Sequence, residues 1–379
     1  MRVLVNATLA GSRSSGLGHY ILSLLKELRQ FPLDITVLAT HPDLFLDDYE
    51  TIHVKGPLGP EHGSKGNRLR YIWIQTSLRA LLAKIRPELL LTPTHEVLFC
   101  PMVPQVVVIH DIIPYLFPAD HRFLGKYYRF VLPHALRTSA RRIITVSSST
   151  RGDLIRHYGL KSDKIVAILS GPGLELGFED LDQEVPDKFV LYVGRVAPYK
   201  NIVGLVRALS LLMDSFPHHL VIAGAGSPDN DRFIPEIVDR AKHCGIDKRI
   251  RFLEYVPSSQ LGTLYRRADV LVLPSFYEGF GFPPLEAMRC GTPVAVSRIP
   301  ALVETVGDAG LFFDPADPED IARAIRSILE NDSLRKELAQ RGSRRSGDFS
   351  WRETAERFHE VFLEATGGAL EGISQCNYS

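Results

Sequence analysis

The chain has 379 residues, of which 45% are hydrophobic and 23% are charged, and its formal net charge at pH 7 is zero. This composition is typical of an ordinary globular protein, so it excludes a disordered chain and a coiled coil and gives no reason to expect a nucleic-acid partner. Because one hydrophobic core rarely serves so long a chain, we expect two domains with a cleft between them.

The four cysteines, Cys100, Cys244, Cys290 and Cys376, have no Cys-x-x-Cys spacing and no paired histidines nearby. This scatter argues against a disulfide framework or a structural zinc site and fits a reducing cytosol. The apolar run at the N-terminus is too short for a signal peptide, and no apolar run approaches about 18 residues. We therefore expect a cytoplasmic protein that does not span a membrane.

In the N-terminal half, short β-branched apolar runs alternate with segments of helical periodicity. Residues 3–6 predict a strand, a glycine-rich loop follows, and residues 17–30 predict a helix. Further strands are predicted at residues 35–39, 88–92, 105–111, 142–147 and 164–169. Such alternation is typical of a parallel sheet with crossover helices.

The alternation breaks at residues 170–173, Ser-Gly-Pro-Gly, and begins again at residue 189. Strands are predicted at residues 189–194, 220–224, 250–256, 269–274, 293–297 and 311–313, and an amphipathic helix is predicted at residues 352–365. We therefore predict an α/β protein with a first Rossmann-like domain at residues 1–175 and a second at residues 176–350.

In open parallel sheets, ligands bind outside the carboxyl ends of the strands, where helix N-termini favour phosphate. The first such loop contains Gly11, Gly16 and Gly18, so its backbone could approach a phosphate closely, or the loop could be only a turn. Ile21 stands where the fingerprint Gly-x-Gly-x-x-Gly needs its last glycine. The loop therefore argues against an NAD site.

A second loop, residues 193–201, carries the cations Arg195 and Lys200 just before a predicted helix. Two such cations can clamp a diphosphate and stabilise the charge of a leaving nucleoside diphosphate without a metal. On an arbitrary surface loop they would be only solvated charges. The next motif favours the clamp.

The third loop is the run Glu278–Glu286, EGFGFPPLE, between a predicted strand and a predicted helix. Proline suits the first helical turn, and the glycines let the backbone meet a ligand at the positive helix end. We expect Glu286 in the first turn, where it can accept hydrogen bonds from ribose hydroxyls, and Glu278 on the loop, within reach of a sugar. Taken separately, they would be a helix-terminal charge and a surface charge.

His110 and Asp111 end the predicted strand 105–111, so the imidazole of His110 is expected to point into the cleft, although a lone histidine at a strand end is more often structural. The run Asp229-Asn230-Asp231 invites comparison with the Asp-x-Asp motif of metal-dependent transferases. Asp and Asn are common in such loops for turn reasons alone. We expect no metal site there.

The run Glu278–Glu286 resembles the Glu-x7-Glu signature of glycosyltransferase family 4. The segments around Arg195 and Lys200, the pair His110-Asp111 and residues 287–294 are similar to other motifs of that family, so the resemblance covers nearly all of residues 1–366. The turn at residues 170–173 departs from the family's frequent Asn-Gly pair. The resemblance implies the GT-B fold, in which two Rossmann-like domains face each other across a cleft and the terminal helix, residues 351–366, crosses back onto the first domain.

The resemblance also implies roles for the site residues. As the catalytic set, Arg195 and Lys200 would hold the diphosphate, Glu278 the hydroxyls of the donor sugar, and His110 the sugar near its reacting carbon. The ribose would lie on Glu286, and the base near Tyr255 and Val256. The donor-binding set that follows is Gly16, Gly18, Arg195, Lys200, Tyr255, Val256, Glu278, Gly279, Phe280, Gly281, Phe282 and Glu286.

Members of this family retain the anomeric configuration and need neither a metal ion nor another cofactor. The resemblance thus implies transfer of a hexose from a nucleoside-diphosphate sugar, GDP-mannose or UDP-glucose, to a glycan or lipid-linked acceptor. Retention suggests a front-face substitution in which the departing phosphate oxygen helps to deprotonate the acceptor. Two alternatives stay open: a sugar-nucleotide epimerase or hydrolase on the same scaffold, and a catalytically silent protein that binds a nucleotide sugar or glycan.

Charge is unevenly distributed, since residues 1–180 carry 21 Lys or Arg against 16 Asp or Glu, and residues 181–379 carry 23 against 28. The stretches 65–86 and 122–142 each contain six basic residues, no acidic residue and several aromatic ones. They could dock the protein peripherally on anionic lipid at the inner face of the plasma membrane. Alternatively, Arg70, Arg79 and Arg86 belong to the solvated faces of core helices.

Overall fold

The computed structural model describes residues 1–11, 16–59, 62–173, 176–225 and 231–367. The chain forms two compact units. The first comprises Met1–Gly171 together with the chain from Ser350 onward, and the second comprises Pro172–Phe349. The first division therefore falls within the Ser-Gly-Pro-Gly turn.

The first unit is built on a seven-stranded sheet in the order β3-β2-β1-β4-β5-β6-β7, and every neighbouring pair is parallel. Its strands are β1 (Arg2–Asn6), β2 (Asp34–Ala39), β3 (Glu50–His53), β4 (Leu89–Thr92), β5 (Gln105–Ile109), β6 (Arg142–Thr145) and β7 (Ile165–Ala167). The sequence did not predict β3. This strand lies at the sheet edge and none of its residues is fully buried, so it lacks an apolar run.

The second unit has a six-stranded parallel sheet in the order β10-β9-β8-β11-β12-β13. Its strands are β8 (Phe189–Val193), β9 (His219–Ala223), β10 (Ile250–Leu253), β11 (Val270–Leu273), β12 (Val294–Ser297) and β13 (Leu311–Phe313). The predicted strand 250–256 is wrong at its end. The strand ends at Leu253, and the next N–H, that of Glu254, donates to Gln183 Oε1 at 3.1 Å and not to a neighbouring strand. Tyr255 and Val256 therefore lie on the loop that follows β10.

The helices of the first unit before β8 are α1 (Gly16–Leu28), α2 (Gly63–Trp73), α3 (Arg79–Ile85), α4 (Ile113–Leu116), α5 (Arg122–Lys126), α6 (Leu132–Ser139) and α7 (Ser148–Tyr158). Two π-helical turns join consecutive helices. Ile74–Leu78 lies between α2 and α3, and Tyr127–Val131 lies between α5 and α6.

In the second unit the helices are α8 (Ile202–Ser210), α9 (Ile234–His243), α10 (Ser258–Arg267), α11 (Phe282–Arg289), α12 (Pro300–Val306), α13 (Pro318–Glu330) and α14 (Asp332–Ser346). A 3-10 turn, Pro198–Lys200, precedes α8. Every residue of β11 and of β12 is buried. Strands covered by helices on both faces are expected to be apolar throughout; β11 is, and β12 is except for its last residue, Ser297.

The last described helix, α15 (Trp351–Thr366), belongs to the first unit and packs on α1. Ser350 begins it with a capping interaction, because its hydroxyl oxygen accepts the N–H of Glu353 at 3.4 Å. The Thr354 hydroxyl also donates to the Leu169 carbonyl at 2.9 Å. The helix is amphipathic, as the sequence predicts, and its buried face includes Ala355, Phe358, Val361, Phe362 and Ala365.

Arg70 fits neither alternative that the sequence left open, a cation that docks on lipid or one on a solvated helix face. Its side chain is 1% exposed and forms an ion pair with Glu96, which is buried to the same degree. The guanidinium also donates to the Leu58 carbonyl at 2.5 Å and to Asn67 Oδ1 at 2.6 Å. A buried arginine is stable only when its donors are satisfied in this way. Arg70 is therefore a structural cation and does not face a membrane.

Candidate active site

The strand order of the second sheet reverses between β8 and β11. At such a point the loops that follow the two strands diverge, and a ligand can bind between them. The loop after β8 carries Arg195 and Lys200, and the loop after β11 carries Glu278. The fold thus brings these three predicted residues to one edge of one sheet.

Glu278 and Lys200 form an ion pair at this edge. Glu278 Oε1 accepts a hydrogen bond from Lys200 Nζ at 2.6 Å and a second one from the Ser275 hydroxyl at 2.6 Å. The side chains of Lys200 and Glu278 are 13% and 9% exposed. The reading of Glu278 as a surface charge is therefore wrong, because its carboxylate is buried and held by two donors.

Arg195 follows Gly194, whose φ of 144° lies in a region that favours glycine. The Tyr192 hydroxyl donates to the Arg195 carbonyl at 2.7 Å and fixes the backbone there. The Nε of Arg195 is buried and has no hydrogen-bond partner among the described residues. A guanidinium in this state is suited to an anionic ligand, because a carboxylate or phosphate oxygen would complete its hydrogen bonds.

Asn201 holds the loop that carries Lys200. It adopts φ of 55°, and its side-chain amide donates to the Pro274 carbonyl at 3.1 Å and to the Pro315 carbonyl at 2.7 Å. These bonds connect the loop after β8 to the ends of β11 and β13. Asn201 ends the loop 193–201, but its sequence position indicated no role for it. Ser275 was also missed, because its only signal is its position three residues before Glu278.

Glu286 does not lie in the first turn of its helix, contrary to the sequence expectation. Because α11 begins at Phe282, Glu286 is the fifth residue and starts the second turn. Its side chain is 5% exposed, and Oε2 accepts the Tyr265 hydroxyl at 2.7 Å. Burial, together with the neighbouring Glu286 carboxylate, raises the pKa of Tyr265 well above its usual value, so the hydroxyl stays a donor.

Ring packing and one hydrogen bond hold the glycine-aromatic part of the motif, Gly279–Phe282, in place. Phe280 is 3% exposed and packs edge-to-face on Phe282 and Phe349, with ring centroids 5.1 and 5.8 Å apart. The Thr305 hydroxyl donates to the Phe280 carbonyl at 2.8 Å. Gly281, with φ of 117°, lets the chain enter α11. Phe280 can therefore meet a ligand only through its backbone.

Other predicted donor-binding residues lie elsewhere in the fold. Tyr255 is 48% exposed and, with Val256, follows β10, which β9 separates from β8. In the first unit the strand order reverses between β1 and β4, and Gly16 and Gly18 open the helix after β1. Residues 12–15 of that glycine loop lie outside the described residues.

His110 directly follows β5, two strands from β1. Its Nε2 lies 2.9 Å from the Pro93 carbonyl, and because a carbonyl only accepts, Nε2 carries the proton. Burial lowers the pKa of His110 to about 4, and the bond to Pro93 opposes part of that shift. The imidazole is therefore neutral near pH 7, with its lone pair on Nδ1. Asp111 caps the next turn, where Oδ1 accepts the Ile113 N–H at 2.9 Å.

Asp229 and Asn230 of the Asp-x-Asp run lie outside the described residues, whereas Asp231 lies within them. Within the described ranges, no three His, Cys, Asp or Glu side chains are grouped as metal ligands. In the same ranges, no helix combines the length and the apolar character needed to cross a membrane.

Two family models match most of the chain. The model for Glycosyltransferase Family 4 matches residues 14–172, and the model for Glycosyl transferases group 1 matches residues 177–345. The chain belongs to the group 1 glycosyltransferases. Arg195, Lys200, Glu278 and Glu286 all lie within the group 1 match, and His110 lies within the family 4 match.

Similar curated glycosyltransferases include bacterial mannosyltransferases. O-antigen chain mannosyltransferase B of Escherichia coli is 36% identical over 256 residues, which are 65% of this chain and 66% of that protein. Serotype-specific mannosyltransferase WbdA of the same organism is 32% identical over 70% of this chain but only 34% of its own length. O-antigen chain mannosyltransferase RfbU of Salmonella typhimurium is 28% identical over 86% of this chain and 90% of its own length.

Solved glycosyltransferase structures show the fold. Sucrose-phosphate synthase from Thermosynechococcus elongatus superposes with a TM-score of 0.78 at 21% identity, over 97% of this chain and 99% of that one. Anabaena HepE in complex with UDP-glucose gives a TM-score of 0.71 at 17% identity, over 96% of this chain and 100% of that one. The α/β, GT-B fold class predicted from the sequence is thereby confirmed.

Proposed function

We propose that the chain is a retaining hexosyltransferase. It would move a hexose from a nucleoside-diphosphate sugar to a glycan or lipid-linked acceptor in polysaccharide biosynthesis, without a metal ion or other cofactor. The observation that carries this proposal is the arrangement at the reversal of the second sheet, where Lys200 and Ser275 hold Glu278 beside the loop of Arg195.

Glu278 is suited to hold sugar hydroxyls. Its Oε1 already accepts two hydrogen bonds, and a carboxylate has further lone pairs on Oε2 that can accept hydroxyl protons from a hexose. Fixing one oxygen in advance orients the other, so little side-chain entropy would be lost when the donor binds. The Glu286 carboxylate, held by Tyr265, is supported in the same way for the ribose.

The diphosphate would bind between the two cations. Arg195 has a buried Nε without a partner among the described residues, and Lys200 brings a second positive charge to the same loop. In a front-face substitution the bond from the anomeric carbon to phosphate breaks first, and the negative charge grows on the leaving phosphate oxygen. Cations fixed beside that oxygen stabilise the transition state more than the ground state.

His110 would contribute as a neutral group. Its Nδ1 lone pair can accept a hydrogen bond from a sugar hydroxyl, while the Nε2–H stays on Pro93. The acceptor proton would pass to the departing phosphate oxygen and not to His110, whose low pKa makes it a weak base.

The names of the relatives favour mannose as the sugar, since two O-antigen chain mannosyltransferases and WbdA match this chain. We therefore propose GDP-mannose as the donor. UDP-glucose is the second candidate because a structure of the same fold was solved with it. The proposed acceptor is a growing cell-surface glycan.

The first experiment is a thermal-unfolding titration with GDP, UDP and ADP and with their sugar conjugates, in the presence of EDTA. A ligand that binds the folded state raises the melting temperature by mass action. Selective stabilisation by one nucleotide would support the proposal and fix the donor class. If none of these ligands raises the melting temperature, the proposal is contradicted. Turnover of the nucleotide sugar without an acceptor would favour an epimerase or hydrolase.

We also propose that the protein is cytoplasmic and associates peripherally with the inner face of the plasma membrane. Arg70 cannot contribute, but Lys65, Arg79, Lys84 and Arg86 remain exposed in the same stretch. Each basic residue near an anionic surface adds about 1 kcal/mol of attraction. Sedimentation with anionic and neutral vesicles tests this, and equal, negligible binding to both would exclude it.

A further inference from the structure

A groove with a volume of about 390 Å³ lies in the first unit, and no residue of the candidate active site lines it. Its walls come from α2, α5, the two π-helical turns and the chain after β4. Two polar residues, Gln75 and Lys126, contribute to the lining. The remaining lining residues are apolar or aromatic: Tyr71, Phe99, Phe123, Tyr127, Phe130 and Val131.

The groove is open, and part of its wall is exposed although it is apolar. Phe130, which lines it, is 72% exposed. Both walls contain a π-helical turn, Ile74–Leu78 on one side and Tyr127–Val131 on the other. Such turns are rare and occur frequently at functional sites. An exposed aromatic wall beside two of them indicates that the groove receives a ligand.

The amide of Gln75 is already engaged. Its Nε2 donates to the Val97 carbonyl at 2.9 Å, and its Oε1 accepts the Phe99 N–H at 3.0 Å. The groove wall therefore offers few hydrogen-bonding groups. A peptide lying in it would leave its amides without partners, which is costly, whereas a hydrocarbon chain needs none. The lining thus favours an alkyl or isoprenoid chain.

The charge at the rim favours an anion next to that chain. Lys126 lines the groove, and Arg129, one turn further on, is exposed. The stretch 122–142 contains no acidic residue. A phosphate attached to a hydrocarbon chain matches an apolar groove with cations at its rim.

The floor of the groove is connected to the candidate catalytic histidine through one loop. The ring centroids of Tyr71 and Tyr127 are 4.3 Å apart, and the Tyr127 hydroxyl donates to the His95 carbonyl at 3.0 Å. Two residues before His95, the Pro93 carbonyl accepts the Nε2–H of His110. A chain in the groove would therefore lie against the loop that orients His110.

We propose that this groove binds the hydrocarbon chain of a phosphate-linked lipid that carries the acceptor, with Lys126 and Arg129 on the phosphate. This inference rests on the proposed transferase function and narrows its acceptor to a lipid-linked glycan. The groove then holds the lipid close to the loop of Pro93 and His95, and the glycan extends from the phosphate.

The test uses the full chain and single-tailed alkyl phosphates below their micelle concentration, with no vesicles present. Titration calorimetry compares hexyl, octyl and decyl phosphate with inorganic phosphate. Since each buried methylene contributes to affinity, decyl phosphate should bind at least about tenfold more tightly than hexyl phosphate. Phe130→Ser and Lys126→Gln should each weaken decyl phosphate binding by about tenfold.

Two exposed residues supply matched controls. Ile72 lies on α2 and is 62% exposed, but it does not line the groove, and Lys161 is an exposed cation of the first unit that follows α7. Ile72→Ser and Lys161→Gln should leave the affinity unchanged. If they weaken binding as much as the groove variants, the alkyl phosphate adheres to the general basic, apolar surface, and the groove assignment is wrong.

Two further outcomes would also overturn the inference: affinity that does not depend on chain length, and binding to anionic vesicles without any saturable binding of monomeric alkyl phosphate. Stabilisation by GDP or UDP is measured on the same samples. If the nucleotide binds and decyl phosphate does not, only the groove inference fails. If neither nucleotide binds, the transferase proposal fails whatever the alkyl phosphate does.

Discussion

Lys200 Nζ lies 2.6 Å from Glu278 Oε1, although the two residues are 78 positions apart in the chain. In the proposed reaction each has its own substrate partner, a phosphate oxygen for Lys200 and a sugar hydroxyl for Glu278. The pair therefore holds both side chains in place before the donor binds. Each partner also neutralises the other, which matters because the two side chains are only 13% and 9% exposed.

Lys200→Ala is expected to lower kcat by about 100-fold or more, because a charge that stabilises the leaving diphosphate is lost. Lys200→Arg keeps the charge and serves as the matched control, with a smaller loss. Initial rates with a nucleotide sugar and circular dichroism of each variant provide the measurement. Near-wild-type turnover of folded Lys200→Ala would remove Lys200 from the mechanism.

Tyr265→Phe removes the hydroxyl that donates to Glu286 Oε2 at 2.7 Å. This bond orients the Glu286 carboxylate before the ligand binds, so without it the Kd for the nucleoside diphosphate should rise by roughly tenfold if Glu286 binds the ribose. Tyr49→Phe removes a tyrosine hydroxyl that donates to the Leu25 carbonyl in the first unit. Both variants are titrated with the nucleoside diphosphate, and only Tyr265→Phe should show the higher Kd. If the two variants bind it equally well, Glu286 does not hold the ribose.

The pH dependence of stability should report the buried histidines. Burial lowers the pKa of His110 to about 4 and that of His95 to about 3, from 6.5 in the unfolded chain. Between the folded-state pKa of each histidine and its unfolded-state pKa of 6.5, the unfolded state binds more protons than the folded state. The free energy of unfolding therefore decreases as the pH falls below about 6.5, by up to about 1.4 kcal/mol per pH unit for each histidine. Urea unfolding from pH 7.5 to pH 5 measures the slope.

His110→Gln should flatten this slope by about the contribution of one histidine. His243, whose side chain is 67% exposed, provides the control as His243→Gln. A slope that His110→Gln leaves unchanged would mean that the imidazole is not buried in its neutral form.

Gly224→Ala should destabilise the second unit. Gly224 adopts φ of 117°, and a Cβ there would overlap with the Gly194 carbonyl of the neighbouring loop. We expect a loss of about 2 kcal/mol or more in the free energy of unfolding, because both the backbone angle and the contact are unfavourable to alanine. In Gly152→Ala, a helical position with no atom within 4 Å of the added methyl, stability should be unchanged or higher. Thermal unfolding of the two variants, measured in parallel, tests this prediction, and equal stability of the two would contradict it.

Arg70 and Glu96 form a buried pair, so removal of one partner leaves an uncompensated charge. Arg70→Met is expected to cost about 3–5 kcal/mol, and Glu96→Leu added to Arg70→Met should restore part of the loss. Arg68→Met, at an exposed position of the same helix, should cost less than about 0.5 kcal/mol. A double variant no more stable than Arg70→Met would contradict this coupling.

The sequence was sufficient where local pattern decides the structure. The apolar run of β8, Phe189–Val193, has the composition of a strand buried on both faces, and the amphipathic pattern of residues 352–365 predicts the helix found at Trp351–Thr366. The edge strand β3 could not be predicted, because its residues Glu50–His53 alternate weakly and are only partly buried.

The chemistry of the site depends on contacts between residues that are far apart in the sequence, and these contacts could not be predicted. The run Glu278–Glu286 identified both carboxylates, but the partner of each, Lys200 and Tyr265, is supplied by another element of the second unit. For Arg70 the sequence left open a cation that docks on lipid and one on a solvated helix face, whereas in the fold it is buried against Glu96, the Leu58 carbonyl and Asn67.

The chain order of the first unit has a consequence for biosynthesis. Its opening helix α1 packs on α15, and the whole second unit, Pro172–Phe349, lies between them in the sequence. During translation, α1 therefore leaves the ribosome long before the helix that covers it. Until Trp351–Thr366 has been made, the nascent first unit keeps an apolar surface open to solvent, and transiently exposed apolar surface favours aggregation.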